Sequence, residues 1–412
     1  MLQRVRKGVT ARSVGLLGPA FVAAIAYVDP GNVAANITAG AKYGYLLVWV
    51  LVVANVMAVM VQYQAAKLGV VTGKTLPATL GERLSRRGRL MFWGQAELVA
   101  GATDIAEVIG GAIALNLLFG LPLPVGGVIV GLISMALLGL ANPQRQRQFE
   151  HVIVALLAII VVGFLAGLVI NPPDAGGVVN GMLPRLDGTE TVLLAASMLG
   201  ATVMPHAIYL HSSLVIDRHG RPTGHRRIRA LLAATRLDVV VALVIAGTVN
   251  IALLVLAASS LYGREGTDTI EGAHAAVGDA LGPIVAAAFA VGLLASGIAS
   301  TSVGSYAGGT IMSGLIRKRI PMIVRRSVTL VPAVVVLAIG VDPTMALVIS
   351  QVVLSFGIPF AIIPLRRYTA DKRLMGPFAD NAWLRGASAA AVVAIVVLNV
   401  ALVVLTVTGI GG

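Results

Sequence analysis

Asp29-Pro30-Gly31-Asn32 stands inside an otherwise apolar run, residues 14–40, and its reading decides the fold. Proline at that place removes a backbone donor and clashes with the preceding turn. Glycine admits unusual dihedrals. Together they predict a helix broken in mid-span, with free carbonyls at the end of its first half. Asp29 supplies a hard anionic oxygen and Asn32 a neutral one; with loose carbonyls they suit a cation. A simple proline kink with a satisfied Asp29 is the plainer alternative.

A second interruption, Gly200-Ala201-Thr202-Val203-Met204-Pro205-His206, falls in the apolar run 190–216. Pro205 should free the carbonyl of Ala201. Methionine in a membrane helix is mostly packing. Beside a break, and paired with Asp29, the Met204 thioether becomes a candidate soft ligand. Hard oxygens with one thioether favour transition metals over calcium and magnesium.

The rest of the chain supports a membrane setting for both breaks. Of 412 residues, 57% are hydrophobic and 12% charged, against roughly 25% charged in a soluble domain. That excludes an ordinary soluble enzyme, a disordered chain and a coiled coil. Apolar runs near 20 residues recur, so the fold class is an all-α polytopic membrane protein rather than a barrel. Eleven spans are expected, at 14–40, 44–67, 90–118, 124–141, 149–170, 190–216, 230–261, 281–314, 326–341, 344–365 and 384–408, joined by short connections. The basic N-terminal stretch runs into the first span without a small-residue cleavage site, and reads as a retained helix.

The net charge of +13 follows from where the basic residues fall. Only Lys42, Arg185 and Arg264 lie on one set of alternate loops; the other 28 of the 31 lie on the opposite set. This places the N-terminus in the cytoplasm and removes the need for a nucleic-acid partner. Cysteine is absent, which rules out disulfides and thiolate metal sites.

Two broken spans five helices apart point to inverted five-helix repeats, about 14–170 and 190–365, with an eleventh helix at about 384–408 and the binding site where the breaks meet. Ionisable groups in a bilayer cost roughly 2.5–3.5 kcal/mol each on insertion scales, so those present invite explanation. Glu97, Asp104 and Glu107, at spacings of seven and three, lie within an arc of roughly 80° on one helix face. They suit a proton route or structural pairing with Arg325 or Arg326, and the two can coexist. His206 is placed to ligate metal or relay protons, with His211 further along the same half-helix. Gln351 could complete a coordination shell or pair with another polar group. Asp238, nearer a helix end, could reach water or a cytoplasmic arginine.

These motifs resemble the Nramp family, the natural resistance-associated macrophage proteins. The resemblance rests on Asp-Pro-Gly-Asn in the first span and Ala-Thr-Val-Met-Pro-His in the sixth, and extends to Thr103-Asp104-Ile105-Ala106-Glu107 and Ser350-Gln351-Val352-Val353-Leu354-Ser355-Phe356-Gly357. It implies a leucine-transporter-like fold of eleven helices with breaks in helices 1 and 6. It implies metal ligation by Asp29, Asn32, Met204 and the Ala201 carbonyl, joined by the Ala26 carbonyl and Gln351 in some conformations. It implies proton transfer through Asp29, His206, Glu107 and Asp104, with Glu97, Arg325, Arg326 and His211 further along. Magnesium-transporting relatives lack the metal-binding methionine, so Met204 argues against that branch.

The expected activity is proton-coupled import of Mn(II) and Fe(II), also Co(II) and Cd(II), across a bacterial plasma membrane by alternating access. No enzyme activity, resident cofactor or obligate protein partner is expected. A sodium-coupled organic-substrate carrier and a passive metal channel are the competing readings.

Overall fold

The computed structural model describes residues 18–138, 146–316 and 321–408. Every regular element among them is helical. The first span is split: α1 (Pro19–Ile25) continues into a single 3-10 turn, Ala26–Val28, and α2 (Pro30–Tyr43) follows. Then come α3 (Val48–Thr72), α4 (Leu76–Arg83), α5 (Arg86–Phe119), α6 (Leu123–Leu138), α7 (Gln146–Ile170) and α8 (Ala175–Asn180). The sixth span is split into α9 (Gly188–Thr202) and α10 (Pro205–His219). The chain continues through α11 (His225–Ser260), α12 (Ile270–Leu281), α13 (Pro283–Leu315), α14 (Met322–Ala338), α15 (Pro343–Ala370), α16 (Lys372–Met375) and α17 (Ala382–Thr408).

Among the described residues, eight spans are long and apolar enough to cross a membrane: α3, α5, α7, α9 with α10, α11, α13, α15 and α17. The three other expected spans coincide with α1–α2, α6 and α14. Four short helices, α4, α8, α12 and α16, lie in the connections between the expected spans. Their ends carry the local signals: Thr75 and Thr269 accept backbone N–H bonds as N-caps of α4 and α12. Of the basic residues used for orientation, Arg4, Arg6, Lys7, Arg12, Arg145, Arg317, Lys318 and Arg319 lie outside the described residues, as does the Arg147 side chain.

Small residues set the closest helix approaches. A Cβ on Gly297 of α13 would stand 2.9 Å from Gly111 of α5. A Cβ on Gly40 of α2 would stand 2.4 Å from the Leu254 carbonyl of α11. Without a hydrophobic drive between helices in lipid, such backbone contact is a main source of association. It presses α2 between α11 and the site.

Candidate functional site

Each break is built by its proline. Asp29 is the N-cap of α2, in extended conformation (φ −77°, ψ 166°), with Pro30 in the first helical turn. Its Oδ1 accepts from the Asn32 backbone N–H at 2.8 Å and from Asn32 Nδ2 at 2.7 Å. Pro205 likewise opens α10 after Met204, whose backbone is extended (φ −62°, ψ 122°). Having no N–H, Pro205 leaves the Ala201 carbonyl free, as the sequence predicts. Asn32 Nδ2 donates to that carbonyl at 2.9 Å, so one amide joins the two broken spans.

Gln351 of α15 completes the convergence: its Nε2 donates to Asp29 Oδ2 at 3.1 Å. Asp29, Asn32, Ala201, Met204 and Gln351 are all fully buried. Two oxygens here, Asn32 Oδ1 and Gln351 Oε1, are buried with no hydrogen-bond partner. Orphaned acceptors beside a buried carboxylate are what a cation would satisfy. Among the described residues, no three His, Asp or Glu side chains cluster as a metal site. The cluster instead combines one carboxylate with neutral amide and carbonyl oxygens.

Glycine makes this approach sterically feasible. A Cβ on Gly31 would fall 1.8 Å from Gln351 Nε2, and one on Gly200 would fall 2.0 Å from the Gln351 carbonyl. A Cβ on Gly110 of α5 would overlap the Pro30 ring at 2.0 Å. The Asp-Pro-Gly-Asn run is therefore gripped by α15 on one side and α5 on the other.

The carbonyls around the first break have partners that sequence reasoning missed. Asn250 of α11 donates to the Tyr27 carbonyl at 2.6 Å, and Ser296 of α13 donates to that of Val28. Ala26, in the same 3-10 turn, is buried, and Pro30 withholds its helical donor. A lone Asn in the apolar run 230–261 was the available signal for Asn250.

The carboxylate face of α5 pairs with α14. Arg325 Nε lies 3.0 Å from Glu97 Oε1, and Arg325 Nη1 lies 4.0 Å from Asp104 Oδ2. Arg326, fully buried, places Nη1 3.5 Å from Asp104 Oδ1 and donates from Nε to Ser134 Oγ of α6 at 3.2 Å. Glu107 is fully buried, and neither of its oxygens has a hydrogen-bond partner. Gly304 of α13 leaves room for both acids: a Cβ there would stand 3.1 Å from Glu107 Oε2 and 3.5 Å from Asp104 Oδ1.

The two histidines separate. His206 Nδ1 lies 3.5 Å from Thr103 Oγ1, next to Asp104 on α5. His211 Nδ1 instead lies 2.7 Å from Gln62 Oε1 of α3, and Gln62 donates to the Tyr27 hydroxyl. Asp238, for which the sequence left water or a cytoplasmic arginine open, accepts from the backbone N–H groups of Gly18 at 3.1 Å and Ala20 at 3.0 Å. It thus occupies the N-terminus of α1, where unpaired amides favour an anion.

Two discontinuous helices, meeting in mid-span at a buried carboxylate, define the class of helical membrane transporters with broken first and sixth spans. Residues 20–405 match the family described as natural resistance-associated macrophage protein-like. The chain belongs to that family, Nramp, and is a multi-span membrane protein. It is 56% identical over 394 residues to a Mycobacterium tuberculosis protein named divalent metal cation transporter MntH, covering 96% of this chain and 92% of that one. It superposes on a crystal structure of the Eremococcus coleocola manganese transporter with a TM-score of 0.84 at 30% identity, covering 94% of this chain and 85% of that one. The nucleobase-cation-symport transporter Mhp1 shares the fold, with a TM-score of 0.59 at 18% identity over 85% of this chain and 78% of that one.

Proposed function

We propose that this chain imports divalent transition metals, Mn(II) foremost and Fe(II), Co(II) and Cd(II) with it, in symport with protons. The observation that carries the reading is the convergence of Asp29, Asn32, the Ala201 carbonyl and Gln351 in one buried cluster between two broken helices. Its support is the transporter class of its relatives; it is a carrier, not an enzyme, and requires no resident cofactor.

The metal is the substrate. On arrival from outside it sheds most of its water. Asp29 supplies the negative charge, while Asn32, Gln351 and the Ala201 and Ala26 carbonyls supply neutral oxygens. Met204 supplies the thioether that discriminates against calcium and magnesium. Binding turns the Asn32 and Gln351 amides from donors toward Asp29 into oxygen ligands toward the ion.

Protons take the α5 side. His206 and Asp104 lead from the break, Glu107 lies on the same helix face, and Arg325, Arg326 and Glu97 carry the route onward; His211 belongs to the inner half-helix. The units 14–170 and 190–365 rock about the site to expose it alternately, and 384–408 stands outside them. The basic loops face the cytoplasm, so the N-terminus is cytoplasmic and the membrane is the bacterial plasma membrane.

The test is Mn(II) uptake into proteoliposomes loaded with a pH dye, with calcium and magnesium as controls. Uptake that acidifies the lumen and disappears in Asp29→Ala is the expected result. Uptake without acidification overturns the proton half. Absence of Mn(II) uptake, with amino acids transported instead, overturns the metal reading.

A further inference from the structure

The eleventh helix, α17, makes a contact that bears on the site. Pro359 and Pro364 stand inside α15. Each removes the N–H that would bond the carbonyl four residues earlier, so the Ser355 and Phe360 carbonyls lose their helical donors. Both have substitutes from other helices. Asn399 of α17 donates Nδ2 to the Ser355 carbonyl at 3.0 Å and accepts from Ser355 Oγ at 2.8 Å. The Tyr209 hydroxyl of α10 reaches the Phe360 carbonyl at 3.4 Å.

Ser355 is one turn after Gln351, and that turn is held on two sides. A Cβ on Gly200 of α9 would meet the Gln351 carbonyl at 2.0 Å and the Ser355 N at 2.9 Å. Ser355 and Asn399 are buried. The turn that presents Gln351 to Asp29 is thus pressed between the broken sixth span and a single amide of α17.

We infer that Asn399 is a positioning residue for the site: by capping the carbonyl that Pro359 leaves free, it sets the place of Gln351 against Asp29. This rests on the metal-transport reading above, with Gln351 as a ligand. It gives α17, which lies outside the paired units, a part in substrate binding without touching the substrate. Its defining property is exchangeability. If residue 359 regains an N–H, the helix caps Ser355 itself and the need for Asn399 lapses.

The experiment compares KM and kcat for Mn(II) uptake in proteoliposomes across five chains: the parent, Asn399→Ala, Pro359→Ala, the pair, and Asn399→Ala with Gln351→Ala. Loss of one buried hydrogen bond that acts on binding should raise KM about tenfold in Asn399→Ala and leave kcat within about twofold. The Pro359→Ala pair should return KM to within about twofold of Pro359→Ala alone. Adding Asn399→Ala to Gln351→Ala should change KM by less than about twofold, because the effect passes through Gln351. A role confined to packing would lower thermal stability and yield without these rescues. Unchanged KM in Asn399→Ala, failed rescue by Pro359→Ala, or additivity with Gln351→Ala overturns the inference and leaves the metal reading intact. If Asn399→Ala does not fold, Pro359→Ala and the pair are compared directly, and a KM difference above about fivefold overturns it. A parent that takes up no Mn(II) overturns both.

Discussion

Gln351 Nε2 donates to Asp29 Oδ2 across 3.1 Å, joining the tenth span to the break in the first. The pair separates 322 residues of sequence, and both members are fully buried. An ion that binds Asp29 must displace that donor or turn it. The two residues therefore differ in what their loss should do.

Asp29→Ala removes the charge and should abolish Mn(II) uptake. Gln351→Ala removes one neutral contact and should raise KM by about 10–150-fold, the cost of about one hydrogen bond to a charged group. Equal effects of the two substitutions in the uptake assay would contradict the assigned division of labour.

Met204→Ala should cost less for Mn(II) than it gains for competitors. On the proposed ligand set, removing the thioether leaves an all-oxygen site, which suits calcium and magnesium. Calcium inhibition of Mn(II) uptake should rise at least about tenfold. Unaltered calcium exclusion would assign Met204 to packing alone.

Gly304→Val tests the proton route without touching the metal cluster. A Cβ there already meets Glu107 Oε2 at 3.1 Å, and branching forces the acids apart. Lumen acidification per Mn(II) transported should fall while Mn(II) binding, followed by calorimetry, is retained. Parallel loss of both would place Glu107 and Asp104 in the folding of α5 and α13 instead.

Lys67 and Asp380 form a buried ion pair near the C-terminal end of α3, with Gln64 and Thr369 each bonding Asp380 Oδ2 at 2.6 Å. Removing one partner strands the other. Lys67→Met should destabilise the protein by about 3–5 kcal/mol, and Lys67→Met with Asp380→Leu should recover part of that loss. Thermal unfolding in detergent measures it; a double variant less stable than Lys67→Met would show that the remaining polar partners outweigh the stranded charge.

Much of this site was legible because proline writes its effects locally. Pro205 identifies the carbonyl of Ala201 by counting back four residues, and the structure finds it bonded to Asn32. The acids on α5 were legible through helix periodicity, and their pairing with Arg325 and Arg326 was among the readings the residues allowed. The partners of the other freed carbonyls were not. Asn250 and Asn399 are lone amides in apolar runs, Ser296 is one of several hydroxyls in its own, and they find their targets 223, 44 and 268 positions away. No periodicity encodes such a pairing; only the packing of the bundle does. The short helices α4, α8, α12 and α16 escaped for another reason: at 8, 6, 12 and 4 residues they carry too few turns for an apolar stripe to stand out.

The bond from Asn32 to both Asp29 and Ala201 has a consequence for the whole carrier cycle. A carrier makes part of every turnover with no cargo aboard, and its broken helices must still meet on that journey. Here the carboxylate and the carbonyl are already answered by the amides of their own neighbours. The return leg therefore leaves the carboxylate and the carbonyl matched, and strands only the Asn32 and Gln351 amide oxygens. Loading becomes a competition in which only an ion that outbids two internal amides for Asp29 is worth carrying.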